Sequence, residues 1–537
     1  MKRTLARVLV GGCLCLAIPA YGQLPGTGLL DRGQAARFLT QTTFGPTLAE
    51  INSVSLIGRD LWLARQLTAS PSSHLERYEV LLPQFGNPAD ARLAAWWEIA
   101  LTGDDQLRQR VAFALSEIFV VSDQDSQLGG RQAQLAAYYD LLVEHAFGNY
   151  RELLEAVTLS PAMGLYLSHL GNDKPNPETG RRPDENYARE SMQLFSIGLW
   201  QLNPDGSPVL DGAGERVPTY DQALIESYAR VYTGWTWAHR ETFGRGSSAE
   251  DETYEPMKAF ADHHDMGEKR LLKDVVLPAG QTPEQDLEAA LDSLTEHPNT
   301  APFIARQLII KLITSNPSPE FIARIAGVFE NNGFGVRGDL GAVVRSIFLD
   351  PEARQRERSD IETYGKLKEP ILRLSQLLRA FDASSPSGVY AIGNTQSAYA
   401  QAPLRSPSVF NFFSPNYALP GAIEVQGLLS PEFQLQTETQ GMQIVDDLAR
   451  RVENGLADDA ALALDLSQAE NQADDAESLA DYLEILLLGG EMSDALRQAL
   501  SEVIAGVPEA EDGHHLLLRA KLAAMLVVVS PEFAVQR

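Results

Sequence analysis

"DDQLRQRVAFALSEIFVVS", residues 104–122, is the stretch on which the fold class turns. Leu107, Val111, Ala114 and Leu115 recur at three- and four-residue intervals, the spacing of one helical face. The same spacing runs through "ARLAAWWEIALTG" (91–103), "RQAQLAAYYDLLVEHAFG" (131–148) and "YRELLEAVTLS" (150–160). The period-two alternation of strands is sparse. The chain therefore reads as all-α, a large multi-helix globular protein.

A recurring start signal supports this reading. "SPAM" at 160, "SPEF" at 318, 430 and 530, and "DPEA" at 350 each place Ser or Asp at an N-cap and Pro at the first helical position. Their flanks differ, so they read as independent helix starts, not repeats. The best strand signal lies at 199–222, "LWQLNPDGSPVLDGAGERVPTYDQ", where "PDG" and "DGAG" punctuate short apolar runs. It predicts a minor β-ribbon between two helices. The second of these helices would open on Thr219 and Gln222 in capping-box spacing.

The N-terminus, "MKRTLARVLVGGCLCLAIPAYGQ", has the three parts of a secretory signal: basic residues, an apolar stretch and small residues before a cut. Cleavage after Gly22 is expected, giving a signal peptide at 1–22 and an exported protein, periplasmic or extracellular. Lipidation at Cys13 is the rival processing route. The only two cysteines, Cys13 and Cys15, fall in this leader, so the mature chain would hold no disulfide and no thiolate ligand. Residues 23–400 read as the main helical domain. Residues 401–537 read as an aromatic loop and an acidic helical C-terminal region packed on it. After the leader no apolar run is long enough to span a bilayer. With 72 acidic against 44 basic residues the net charge is −28, which argues against nucleic-acid binding.

The acids of the C-terminal region interleave with Leu and Ala at helical spacing, as on solvated helix faces, and no calcium-loop pattern accompanies them. P-loop, nucleophile-elbow, H-E-x-x-H and dinucleotide motifs do not occur.

Three polar segments could carry chemistry. In "RRPDENYARESMQLFSIGLW" (181–200), Asn186, Glu190 and Gln193 share a helical stripe, with Glu185 and Arg189 paired beside it and Asp184 as the N-cap. In "ALIESYARVYTGWTWAHR" (223–240), Glu226 and Arg230 are four apart, and the helix breaks at Gly234, between Tyr232 and the pair Trp235 and Trp237. Those rings are either core anchors or a platform for a sugar or cation. In "FADHHDMGEKRLL" (260–272), His263, His264 and Asp265 precede Lys269 and Arg270. They would serve as ligands of a divalent metal, as proton carriers or as structural hydrogen-bonding groups.

The working hypothesis joins the three segments into a polar cleft for a polyhydroxylated or anionic substrate. Glu190 would be the general acid or base, Arg189 and Arg230 would bind or orient an anion, and His263, His264 and Asp265 would serve as proton carriers or metal ligands. Asn186, Trp235, Trp237 and Lys269 would contact substrate. The rival is a non-enzymatic scaffold in which the same groups lock helices together. An enzyme needs them converging on an open pocket; a scaffold can bury them in closed ion pairs.

Nine motifs occur in order: "AARFLTQTTFGPTLAEI", "LRQRVAFALSEIFVVS", "AFGNYRELLEAVTLSPAMGLYL", "PDENYARESMQLFSIGL", "ARVYTGW", "HHDMGEK", "HPNTAPFIARQLI", "LKEPILR" and "SPSVFNFFSPNY". Together they resemble the exported bacterial proteins called domain of unknown function 1800, from about Ala35 to the final "SPEFAVQR". The resemblance implies a large helical exported protein and supplies no established reaction. It also suggests work on an exported polymer or envelope component beside a partner similar to alkaline-phosphatase-like hydrolases. Some relatives would carry a histidine near Glu117, so this chain departs from any metal scheme that needs one there.

Overall fold

The computed structural model describes residues 30–246, 254–354, 364–455, 462–511 and 513–537, so the expected signal peptide lies outside the described residues. Among them are 25 α-helices and three two-residue antiparallel strand pairs, a predominantly α-helical architecture. One continuous apolar cluster reaches from Ala35 to Phe533.

Two helices are buried nearly all round. In Gln106–Ser116 the apolar face continues into buried Gln106, Gln109 and Arg110, and in Pro370–Ala380 every residue is buried. A helix surrounded by protein must satisfy its polar groups internally. Arg379 does so by donating to the carbonyls of Gly45 and Leu101, each at 2.6 Å, and to Glu50 at 2.8 Å. The helix at 106 stops at Ser116, earlier than its periodicity suggests. Glu117 takes the C-cap position, and "IFVVS" continues as buried non-helical chain.

All five Ser/Asp-Pro signals open helical turns; the one at 430 is a 3-10 turn, Pro431–Leu435. Ser318 and Ser530 accept from the amides three residues on, as N-caps do. The ribbon at 199–222 is a run of isolated antiparallel bridges, Trp200 to Pro218, Leu202 to Pro208 and Leu210 to Arg216, and not continuous strands. The following helix, Gln222–Val231, is capped by Asp221, which accepts from Leu224. Thr219 is not its cap: its hydroxyl donates to Gly198. No helix of the described residues is long and apolar enough to cross a membrane.

Candidate functional site

The "HHD" segment is held where the chain turns back on itself. The Gln222–Val231 helix ends, Gly234 turns at φ +86°, and strand Trp235–Thr236 pairs with Lys258–Ala259. A Cβ at Gly234 would stand 2.9 Å from the Phe260 carbonyl, so only glycine permits this approach. The turn lays residues 263–270 against the C-terminal end of that helix. There Arg230 clamps Asp265 with two bonds of 2.7 and 3.0 Å, in place of the i,i+4 partner Glu226. Asp265 also accepts from the Gly267 amide at 2.7 Å. Burial pushes the Asp265 carboxyl up, but Arg230, Gly267 and Lys269 outweigh it and hold it below the ordinary value.

His264 is wholly buried, and both ring nitrogens face acceptors. Nδ1 lies 2.9 Å from the Thr233 carbonyl, and Nε2 lies 2.9 Å from Asp286 Oδ2. Lys269, buried as well, reaches the same Asp286 oxygen at 2.6 Å and donates to the carbonyls of Asp265 and Gly267. His263 points elsewhere. Its ring stacks on Phe243 at 4.0 Å and stands 3.1 Å from Asp173. His263, His264 and Asp265 therefore do not converge as a ligand set, and the described residues hold no group of three or more His, Cys, Asp or Glu that could bind a metal ion. Lys269 is spent on Asp286, so it offers no substrate contact. Trp235 and Trp237 are core residues, 5% and 0% exposed, because the hairpin at Gly234 turns both rings inward; neither is a stacking platform.

The Asn186–Gln193 helix packs on the other side of Gln222–Val231 through Tyr187 and Tyr232, whose ring centroids are 4.8 Å apart, and through a 2.9 Å bond from Gln222 to Glu185. Asp184 accepts from the Asn186 amide at 2.9 Å, and Arg189 pairs with Glu185 at 3.3 Å. Asn186 itself is exposed. Glu190 faces away from the histidines. Its carboxyl is buried, Oε2 has no hydrogen-bond partner, and burial pushes its pKa up to about 7 against the pull of Arg189. Tyr220, raised to about 12 by burial and by the Glu190 charge, donates to Gln193.

Gln193 in turn lines an open groove of about 440 Å³ between the ribbon and the 410–416 loop. Trp200 and Phe410, 39% and 58% exposed, supply aromatic surface there, and Arg216 and Arg306 supply positive charge. Asn299 pins the ribbon from below. Its amide donates to Ile197 and Trp200, at 2.9 and 2.8 Å, and its oxygen accepts from Leu202 at 3.0 Å. The three sequence segments are thus neighbours through one central helix, but they do not share one cleft.

A second polar centre went unread in the sequence. Beneath the 404–416 loop, Glu117 accepts from Asn411 at 3.1 Å and from Lys311 at 3.4 Å. Lys366 bridges Glu432 at 2.9 Å and Glu369 at 3.8 Å, while Arg110 donates to the Lys311 carbonyl. All six charged side chains are buried. Burial and the nearby Glu369 push Glu117 up to about 7 despite Lys311. Burial acts on Glu369 in the same sense, but Lys366, Arg110, Lys311 and Gln401 together hold it below its ordinary value. The signal was present: of these six and Asn411, all but Glu432, which comes from the "SPEF" at 430, lie in or within two residues of "LRQRVAFALSEIFVVS", "HPNTAPFIARQLI", "LKEPILR" and "SPSVFNFFSPNY". Four of the nine motifs meet at this point.

These features define a class: a large helical protein whose buried charges close on one another and whose exposed aromatic groups gather in a separate groove. The chain belongs to the family described as protein of unknown function (DUF1800), whose model matches residues 37–535. No curated protein and no solved structure matches it.

Proposed function

We propose that this chain is an exported binding scaffold that holds a polyhydroxylated or anionic envelope polymer in the groove between the ribbon and the 410–416 loop. The observation that carries the reading is the groove's composition. Exposed Trp200 and Phe410 offer faces on which sugar rings stack, and Arg216 and Arg306 offer charge and hydrogen-bond donors to acidic or hydroxyl groups. The closed pairs of Arg230, Asp265, His264, Lys269 and Asp286 support a structural role for the "HHD" segment. A scaffold of this kind would present polymer to an exported hydrolase of the alkaline-phosphatase-like type.

One observation favours a second reading, in which the chain itself is hydrolase-like. Glu190, with a partnerless buried oxygen and a pKa near 7, has the properties of a general acid and lies one helical turn before Gln193, which lines the groove. Affinity electrophoresis through gels containing acidic and neutral polysaccharides separates the readings. As a scaffold, wild type and Glu190→Gln are retarded alike, Trp200→Ala is not, and no polymer is cleaved. Cleavage that Glu190→Gln abolishes would establish the hydrolase reading. Equal migration of wild type and Trp200→Ala in every gel would remove the groove from both.

A further inference from the structure

A pocket of about 480 Å³ lies along the Gln132–His145 helix, and its walls are acidic. Gln134, Leu141 and Glu144 belong to one stripe of that helix, at spacings of seven and three, so they face the same space. The opposite wall is the start of the His74–Leu81 helix, with Glu76, and Pro161 and Tyr254 complete it. The volume is that of a small-molecule site.

Three carboxylates line this pocket and, among the described residues, no Lys or Arg does. Their roles differ. Asp140 is structural: it accepts from the Ser73 hydroxyl at 2.7 Å and from the amides of His74 and Leu75 at 2.6 and 3.0 Å, holding the start of the neighbouring helix. Glu76 and Glu144 are exposed and make no ion pair among the described residues. Gln134 is the independent observation. It is 4% exposed, and neither its amide nitrogen nor its amide oxygen has a hydrogen-bond partner. A buried amide left unpaired costs about 1–3 kcal/mol, part of which a ligand donor to its oxygen would recover.

We propose that this pocket binds a small aliphatic polyamine. Glu76 and Glu144 would take its ammonium groups, the Gln134 amide oxygen would accept from a protonated nitrogen between them, and Leu141, Pro161 and Tyr254 would cover the methylene chain. The pattern of charged ends, polar centre and apolar walls matches that ligand class and rejects anions. A net charge of −28 would concentrate such cations near the surface before they bind.

Spermidine binding to the purified protein, followed by isothermal titration calorimetry, tests this. Expected is saturable one-to-one binding that weakens roughly tenfold, about 1.4 kcal/mol, in Glu76→Gln/Glu144→Gln and again in Gln134→Leu. The double substitution Glu509→Gln/Glu511→Gln, outside the pocket, removes the same charge and should leave the affinity unchanged. Equal weakening in that control would mean diffuse adsorption to an acidic surface and overturn the proposal, as would an absence of saturable binding. Equal binding of triethylene glycol would show that the ammonium groups are not recognised. Should Gln134→Leu fail to fold, the exposed glutamate pair still decides the outcome.

Discussion

Replacing His264 by alanine leaves Asp286 facing Lys269 alone and the Thr233 carbonyl without its ring donor, all in a fully buried site. Breaking a buried pair from one side costs about 3–5 kcal/mol, and His264→Ala should lose that much in urea unfolding. Asp286→Asn should do the same, and the double variant should fall well short of the sum, because both remove one contact. Additive losses would mean that the two residues act separately. Glu190 gives a pH signature. Its folded pKa of about 7 exceeds the ordinary 4.5, so the fold keeps a proton that the unfolded chain releases. That stability is fully present below 4.5 and is lost as pH rises through 7. Glu190→Gln should therefore flatten the fall in melting temperature between about pH 4.5 and 7. His169, held by burial at about 4 against 6.5, acts oppositely, withdrawing stability as pH falls from 6.5 towards 4. Little of this was legible in spacing alone. Glu226 stands four residues before Arg230, yet Asp265 wins the arginine because the turn at Gly234 brings it into bidentate range. The acid that meets His264 lies 22 residues downstream on another helix.

At the scale of elements, Asn299 ties the ribbon to the helical body. Asn299→Ala removes three hydrogen bonds and strands buried carbonyls, a loss of about 2–4 kcal/mol. Amide exchange should quicken across residues 199–218 while the Asn186–Gln193 helix stays protected. Uniform quickening would show that the ribbon is not a separable unit. Element type was readable wherever local chemistry dominates: the Ser-Pro starts, the helical periodicity and the "PDG" and "DGAG" turns all correspond to observed features. Boundaries were less so. Asp221, one residue before the helix, caps it better than Thr219 because its carboxylate reaches the Leu224 amide. The extended "IFVVS" segment has helical spacing but leaves the helix, since Glu117 is drawn to Lys311 and Asn411 from segments 194 and 294 residues away. Trp235 and Trp237 show the same limit: sequence cannot say which way a hairpin turns its rings.

Across the whole molecule, the C-terminal strand closes on the middle of the chain. Strand Val535–Gln536 pairs with Lys366–Leu367, and the Gln536 amide donates to the Leu312 and Ile313 carbonyls at 2.8 and 3.0 Å. Deleting residues 535–537 should therefore cost about 2–4 kcal/mol and lower the melting temperature. An unchanged melting temperature would show that this pairing contributes nothing. The central claim is a separation of roles: the "HHD" segment locks helices, and ligand is held in the groove between the ribbon and the 410–416 loop. Hydrogen–deuterium exchange in the presence of a polysaccharide that retards the protein tests that separation directly. New protection is expected at residues 199–216 and 410–416 and none at 260–272; protection at 260–272 with the groove unchanged would overturn the proposed function.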